Sequence, residues 1–364
     1  MEKKYSGKQV EKSGIALQDL DNLIEDTEKF ESVMDVLSYW RSSHEESLDL
    51  ALDTLEDVVS KKDKTAFYAK RLKRYISIVR KLIRFKDMSL KNMQDIGGCR
   101  AVVANEKKLR QSVRELKKLS YFKFEKGKHK YKDYIETPKD DGYRSYHLIG
   151  KFPDKDKNYK SIEVQLRTKI QHYWATTLEI VDLFTGQALK SNQGDQLWKD
   201  FFIQISKQFA IMEKVHLFEA MDDNAQLAHY IAQLQKQDGA AEALSEVKKT
   251  CSKLKVAKKL GAFSGSLKII DERLDSENVS TGYVLLKIDT EKREVFSTLF
   301  DDEDGKEAER AYTQAEKEFA TTDAMVVALV SSGAVGGIKE AYPNYFADSS
   351  EFGALLSTIV RAKI

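Results

Sequence analysis

Two acids and a run of cations are spaced for phosphate chemistry. Asp95 stands just before two glycines in Gln94-Asp95-Ile96-Gly97-Gly98-Cys99-Arg100, and glycines opening a strand allow backbone or ligand to approach closely. Glu163 lies in the alternating segment 161–168 (SIEVQLRT), where Ile162, Val164 and Leu166 face a core while Glu163, Gln165 and Arg167 share the opposite face. If Asp95 and Glu163 converge, two carboxylates with substrate phosphates make a hard oxygen set suited to Mg²⁺. Taken alone, Asp95 reads equally as a turn or cap acid, and Glu163 as a surface carboxylate paired with Arg167.

Cations surround these acids. On a helix spanning 70–85, at about 100° per residue, Lys70, Lys73, Arg74, Ser77, Arg80, Lys81 and Arg84 fall in one arc, opposite Tyr75, Ile76, Ile78, Val79, Leu82, Ile83 and Phe85. Cations so placed repel one another, so the stripe is either a solvated face or waits for an anion. The loop 127–142 gathers Lys128, His129, Lys130, Lys132 and Lys139 around Tyr131 and Tyr134, a composition suited to phosphates and a stacked base. In 143–149 (YRSYHLI), Tyr143, Ser145 and His147 share one face. His147 and His172 also fit packed core histidines, and the loop also fits a solvated segment. No Walker or Rossmann glycine pattern occurs.

The elements that must position these residues are read from periodicity. Residues 17–60 are amphipathic helix, 68–85 a second helix, and 101–104, 143–151 and 161–168 strands, with helices at 106–119 and 169–185. The fold class expected is α+β, a mixed sheet flanked by helices. Residues 196–260 continue as helix, through Phe201, Ile205, Phe209, Met212 and Val215. In the tail, 283–288 and 294–299 form a hairpin, followed by a helix at 308–319, a buried strand at 324–330, and a turn and helix at 336–346. That order indicates a small separate α+β domain. The expected division is 1–220, a helical connector 221–264, and 265–364.

The chain has 364 residues with 41% hydrophobic and 32% charged, which fits two or three folded domains and argues against disorder. The net charge of +2 names no partner, but it hides an asymmetry: 19–60 is strongly acidic and 61–90 strongly basic. Cys99 and Cys251 are isolated, so neither a zinc site nor a disulfide framework is indicated. With no apolar leader at the start and no run of about 18 apolar residues, no membrane span is expected and the cytoplasm is the expected location.

Four ordered motifs together resemble the synthetase domain of the RelA/SpoT alarmone enzymes. They are Arg71-x-Lys73-x₃-Ser77-x₃-Lys81; Asp95-Ile96-Gly97-Gly98-x-Arg100; Lys132-Asp133-Tyr134-Ile135-x₂-Pro138-Lys139-x₂-Gly142-Tyr143-Arg144-Ser145-x-His147; and Glu163-x-Gln165-x-Arg167-Thr168. The resemblance covers about 65–185, extends over 20–220, and leaves the tail out. It implies a nucleotidyltransferase-like fold and a GTP pyrophosphokinase that moves the β,γ-pyrophosphate of ATP to the 3′-hydroxyl of GDP or GTP, with Mg²⁺ as cofactor. Arg71, Lys73, Ser77, Lys81 and Arg100 would bind ATP. Asp95 and Glu163 would hold the metal and be catalytic, Glu163 also as general base. Lys132, Lys139, Tyr143, Arg144, His147, Gln165 and Arg167 would surround the acceptor, with Tyr143 stacked on guanine.

The chain also departs from the family. Asp141 replaces the Asn or Ser usual before Gly-Tyr, which leaves the acceptor open. The family's Trp-Ala-x-Leu-Glu-His reads Trp174-Ala175-Thr176-Thr177-Leu178-Glu179-Ile180 here, without the His and without the Tyr-Lys that follows. None of the six histidines precedes Asp, so no hydrolase domain is expected. Some small relatives are toxins that pyrophosphorylate the tRNA 3′ end, and some fused ones sense phage through a C-terminal domain. tRNA thus stays an alternative acceptor, as do a decayed nucleotide- or RNA-binding module, a homo-oligomer, and a trigger or regulator acting through the tail.

Overall fold

The structure, a computed structural model, describes residues 4–185, 189, 194–216, 218–257, 260, 282–289, 292, 294–319, 322, 325–331 and 350–364. Four helices lead the chain: α1 (Gly7–Ala16), α2 (Leu20–Ile24), α3 (Thr27–Ser42) and α4 (Glu45–Val59). The amphipathic pattern expected over 17–60 therefore breaks into α2, α3 and α4. At the α3–α4 break His44 is buried, its Nδ1 2.7 Å from the Trp40 carbonyl.

The helix expected over 68–85 is a strand followed by a shorter helix: β1 (Phe67–Leu72) and α5 (Tyr75–Arg84). Phe67–Leu72 pairs antiparallel with β2 (Gly97–Val103), and these sheet hydrogen bonds override the helical spacing of its cations. Arg74 is extended (φ −63°, ψ 146°) and ends the strand segment. Tyr75, Ile78, Val79 and Leu82 are buried against α1 and α3.

After α6 (Glu106–Leu116), begun by Asn105 accepting the Lys108 N–H at 3.0 Å, come β3 (Lys130–Asp133), β4 (Tyr146–Pro153) and β5 (Tyr159–Thr168). Strand β3 lies within the stretch expected to be loop. β4 starts at Tyr146 rather than 143, because residues 142–145 are taken up by a turn. The sheet order is β1-β2-β5-β4-β3, with only β2 and β5 parallel among neighbours. This is the mixed sheet flanked by helices expected from the sequence.

Register sets the two faces of this sheet. Cys99, Ala101, Val103, Ile162, Val164, Leu166, Tyr146 and Leu148 pack against α4 and α6 in one buried cluster. At Gly97 a Cβ would lie 2.7 Å from Ile162 Cδ1, so close packing of β2 on β5 requires glycine there. The opposite face carries the rows Arg71–Gly98–Glu163–Ile149–Lys130 and Ala69–Arg100–Gln165–His147–Lys132. The polar side chains singled out by alternation thus share one face.

Helix α7 (Lys169–Thr185) leads from β5 to α8 (Gln196–Met212), α9 (Asp223–Leu234) and α10 (Ala240–Leu254). In the tail, β6 (Tyr283–Asp289) pairs antiparallel with β7 (Glu294–Phe300) and with β8 (Met325–Ser331), and α11 (Gly305–Glu318) packs Ala315 against Leu285 and Val327. The turn and helix expected at 336–346 lie outside the described residues. A last helix, α12 (Ser350–Arg361), leaves the small sheet and seats Phe352, Leu355, Leu356 and Ile359 in the core of α7–α10. Among the described residues no helix is long and apolar enough to cross a membrane.

Candidate active site

The polar sheet face carries a closed circuit of side chains. The Tyr143 hydroxyl lies 2.8 Å from His147 Nε2, and His147 Nδ1 lies 3.1 Å from Glu163 Oε1. Gln165 Nε2 donates to Glu163 Oε2 at 2.6 Å, and Arg167 Nη2 donates to Gln165 Oε1 at 3.2 Å and to the Tyr143 hydroxyl at 2.8 Å. Alternation on β5 and β4 supplies four of the five residues. Tyr143 is delivered by the turn before β4, where Gly142 has φ +89°. A Cβ there would lie 3.1 Å from Ile203 Cα, so glycine serves both the turn and the approach of α8.

The circuit fixes charge. Burial works against the Glu163 carboxylate, but His147 and the Gln165 amide outweigh it and hold its pKa far below the usual carboxylate range. Burial likewise lowers the His147 imidazole, yet Tyr143 and Glu163 raise it above its ordinary value. Tyr143 is raised by burial and lowered more strongly by Arg167 and His147. Arg167 keeps Nε and Nη1 buried without a protein partner, and His172 Nδ1 is in the same condition. The two Arg167 N–H groups are donors available to an anion, whereas His172 Nδ1 donates or accepts according to the tautomer of the ring.

A second cluster lies along α5, between Lys73 just before the helix, Lys81 in its last turn and Asp95 ahead of β2. Asp95 Oδ2 accepts from Lys73 Nζ at 2.9 Å and Lys81 Nζ at 2.8 Å. Burial raises the Asp95 carboxyl, but the two ammoniums prevail and lower it. Lys73 is lowered by burial in spite of Asp95, and its charge also lowers Glu163, so it links the two clusters electrostatically. Asp95 Oδ1 is buried with no partner. Among the described residues no three His, Cys, Asp or Glu side chains form a ready-made metal cage. A free carboxylate oxygen on Asp95, just ahead of β2, with Lys73 acting electrostatically on both Asp95 and Glu163, fits a cation that takes its other ligands from phosphates.

Other expected site residues are placed differently. Arg71 is exposed at the end of β1, Ser77 sits in the first turn of α5, and Arg100 is buried in β2. Lys139 Nζ lies 4.8 Å from the Tyr134 ring centroid and 4.7 Å from that of Tyr143, and Lys132 is exposed on β3. Arg144 does not join the circuit. It is buried and paired with Glu213 at the end of α8. Asp141, the departure before Gly-Tyr, accepts the Tyr143 N–H at 2.8 Å and is used as a turn acid.

Two contacts to this region come from outside the motifs. Glu213 binds Arg144, Thr168 and Gln171, and Glu316 on α11 accepts the Tyr75 N–H at 3.0 Å. Both join residues far apart in the chain, and no local pattern signals such a contact.

Residues 70–180 match the model described as "Region found in RelA / SpoT proteins". Among curated proteins, the GTP pyrophosphokinase YwaC of Bacillus subtilis is 36% identical over 115 residues, covering 29% of this chain. The match takes in 52% of YwaC, so the chain spans about half the length of that relative. Among solved structures, small alarmone synthetase 2 of Bacillus subtilis aligns with TM-score 0.41 at 25% identity, covering 49% of this chain and 94% of that one. Small alarmone synthetase 1 of the same organism, bound to its product pppGpp, aligns with TM-score 0.39 at 21% identity over 46% and 90% of the two chains. The part of this chain from 70 to 180, which holds the acids, the lysines and the circuit described above, is similar to the region found in RelA/SpoT proteins.

Proposed function

We propose that this face transfers the β,γ-pyrophosphate of ATP to the 3′-hydroxyl of GDP or GTP: the hydroxyl oxygen attacks the β-phosphorus, the bridge between the α- and β-phosphates breaks, and AMP leaves. The observation that carries the reading is Glu163 hydrogen-bonded within the Tyr143–His147–Gln165–Arg167 circuit, with the Lys73–Asp95–Lys81 cluster as its electrostatic neighbour through Lys73. Transfer of this kind is mostly positioning and charge neutralisation. Lys73, Lys81, Arg71 and Ser77 hold the ATP phosphates. Tyr143 with Lys139 receives the guanine base, and the free donors of Arg167 meet its phosphates. Glu163 orients the attacking hydroxyl and accepts its proton as the new bond forms, since so acidic a carboxyl is a weak base on its own. Asp95 and Glu163 would hold Mg²⁺, which when bound neutralises phosphate charge.

Supplying γ-labelled ATP and Mg²⁺ with GDP, GTP or deacylated tRNA tests this. Label in guanosine tetra- or pentaphosphate is expected. Label on tRNA alone would move the acceptor to RNA, an outcome for which the exposed Lys126, Lys128, Lys130, Lys132 and Tyr131 leave room.

The tail acts in this reading as a restraint on the ATP side. A helix start is a ready anion site, and at α5 the carboxylate of Glu316 takes it. Glu316 is 5% exposed, and Arg74 and Arg41 both lower its pKa, against the larger upward push of burial. Arg41 Nη2 lies 3.4 Å from the Tyr312 hydroxyl, and Lys317 Nζ lies 3.1 Å from Asp35 Oδ1. An ATP phosphate approaching Ser77, in the first turn of α5, would meet the same helix end. Glu316→Gln should therefore lower the KM for ATP, and an unchanged KM would remove the restraint from the account.

A further inference from the structure

We propose that Glu213, outside the matched segment, is a positioning residue for the acceptor: its carboxylate fixes the turn that carries Tyr143. The proposal rests on the acceptor reading above. Glu213 caps the C-terminus of α8 and its side chain is 6% exposed. One oxygen pairs with Arg144, which is adjacent to Tyr143 in sequence. The other accepts from the Thr168 hydroxyl and, at 3.1 Å, from Gln171 Nε2. Thr168 and Gln171 also bond each other at the β5–α7 junction, with Thr168 N–H donating to Gln171 Oε1 and Gln171 N–H to Thr168 Oγ1, both at 3.2 Å.

One carboxylate thus ties the turn before β4 to the end of β5, the two pieces of chain that bring Tyr143 and Arg167 within 2.8 Å of each other. Helix α8 holds the same turn a second time, since the Ser206 hydroxyl donates to the Gly142 carbonyl. A small cavity lined by Gly142, Arg144, Gln171, Trp174, Ser206 and Phe209 lies here, so polar bonds hold the turn together with the close approach of α8 at Gly142. A buried carboxylate satisfied by a guanidinium, a hydroxyl and an amide is a directional anchor. Its amide replacement keeps the shape but loses the charge.

Glu213→Gln separates this role from plain stability, with Phe209→Leu in the same helix as a control for loosened packing. In Glu213→Gln, hydrogen exchange at 142–147 should quicken by about tenfold, the worth of one charge-assisted bond, while α5 and β2 keep their protection. The KM for the guanosine acceptor should rise by about tenfold while that for ATP changes less than about twofold. Phe209→Leu should lower the melting temperature without splitting the two KM values. Unchanged exchange at 142–147, or KM values that rise together as in the control, would overturn the proposal. If wild-type protein turned over no guanosine acceptor, the functional reading would fall on that result, and the exchange data would still decide whether Glu213 fixes the turn.

Discussion

The residues around the five-stranded sheet and the tail helix α11 both make contact with α5, and they do so by different means. The large sheet assembles its site from neighbours: His147 and Glu163 are 16 residues apart, Lys81 and Asp95 only 14. The tail reaches the same helix through Tyr75 and Glu316, which are 241 residues apart. In the first case strand alternation and register already place the groups on one face. In the second, nothing local requires Glu316 to meet Tyr75, and the contact exists only once both units have folded and docked. Short-range order builds the candidate site, and a long-range contact brings the tail to the first residue of α5.

The comparison breaks most visibly at Glu163. Glu163→Gln should cut transfer by roughly 10²–10⁴-fold, the usual contribution of a positioned proton acceptor, while equilibrium binding of a non-transferable ATP analogue stays intact. Loss of analogue binding instead would make Glu163 part of the ATP site. Asp95→Asn comes next. It leaves Lys73 and Lys81 crowded without their counter-ion, and thermal unfolding should show a loss of about 2–4 kcal/mol, less than for a fully buried pair because both lysines retain some solvent. An unchanged melting temperature would show that the lysines are not held by Asp95.

Acid should act on the leading helices through buried His44, whose pKa is lowered to about 3, by burial first and by Lys160 second. Its neutral form is the folded one, so stability is full above the unfolded value of about 6.5 and is lost as pH falls toward 3, reaching about 2 kcal/mol of loss at pH 5. Mild acid should thus speed hydrogen exchange around α3 and α4, and unchanged exchange there would refute the assignment. The smallest effect belongs to Glu316→Gln at neutral pH, where the KM for ATP should fall by about tenfold, equivalent to one charge-assisted bond of about 1.5 kcal/mol.

Much of the large sheet was legible because its strands alternate. The 161–168 pattern gives β5 nearly whole, and Glu163, Gln165 and Arg167 occupy one face as the alternation requires. The 70–85 stretch misleads because cations spaced like a helical stripe also suit a strand end leading into a helix start. Lys73 and Lys81 still meet at Asp95 although they sit on different elements. Tyr143 is visible in sequence, but the circuit that holds it is not, since Gly142 must turn the chain and α8 must come to rest against it. Arg144 reads like its neighbours in the motif and is claimed by Glu213, a partner 69 residues away that no periodicity marks.

The central claim is that the polar sheet face transfers pyrophosphate and that the tail carboxylate restrains it. The most direct measurement follows γ-labelled ATP with GDP in three proteins: wild type, Glu316→Gln, and Glu316→Gln combined with Glu163→Gln. The account predicts label on guanosine nucleotide that increases when Glu316 is neutralised and disappears when Glu163 is also changed. Label absent from every acceptor even with Glu316 neutralised, or persisting without Glu163, would contradict it.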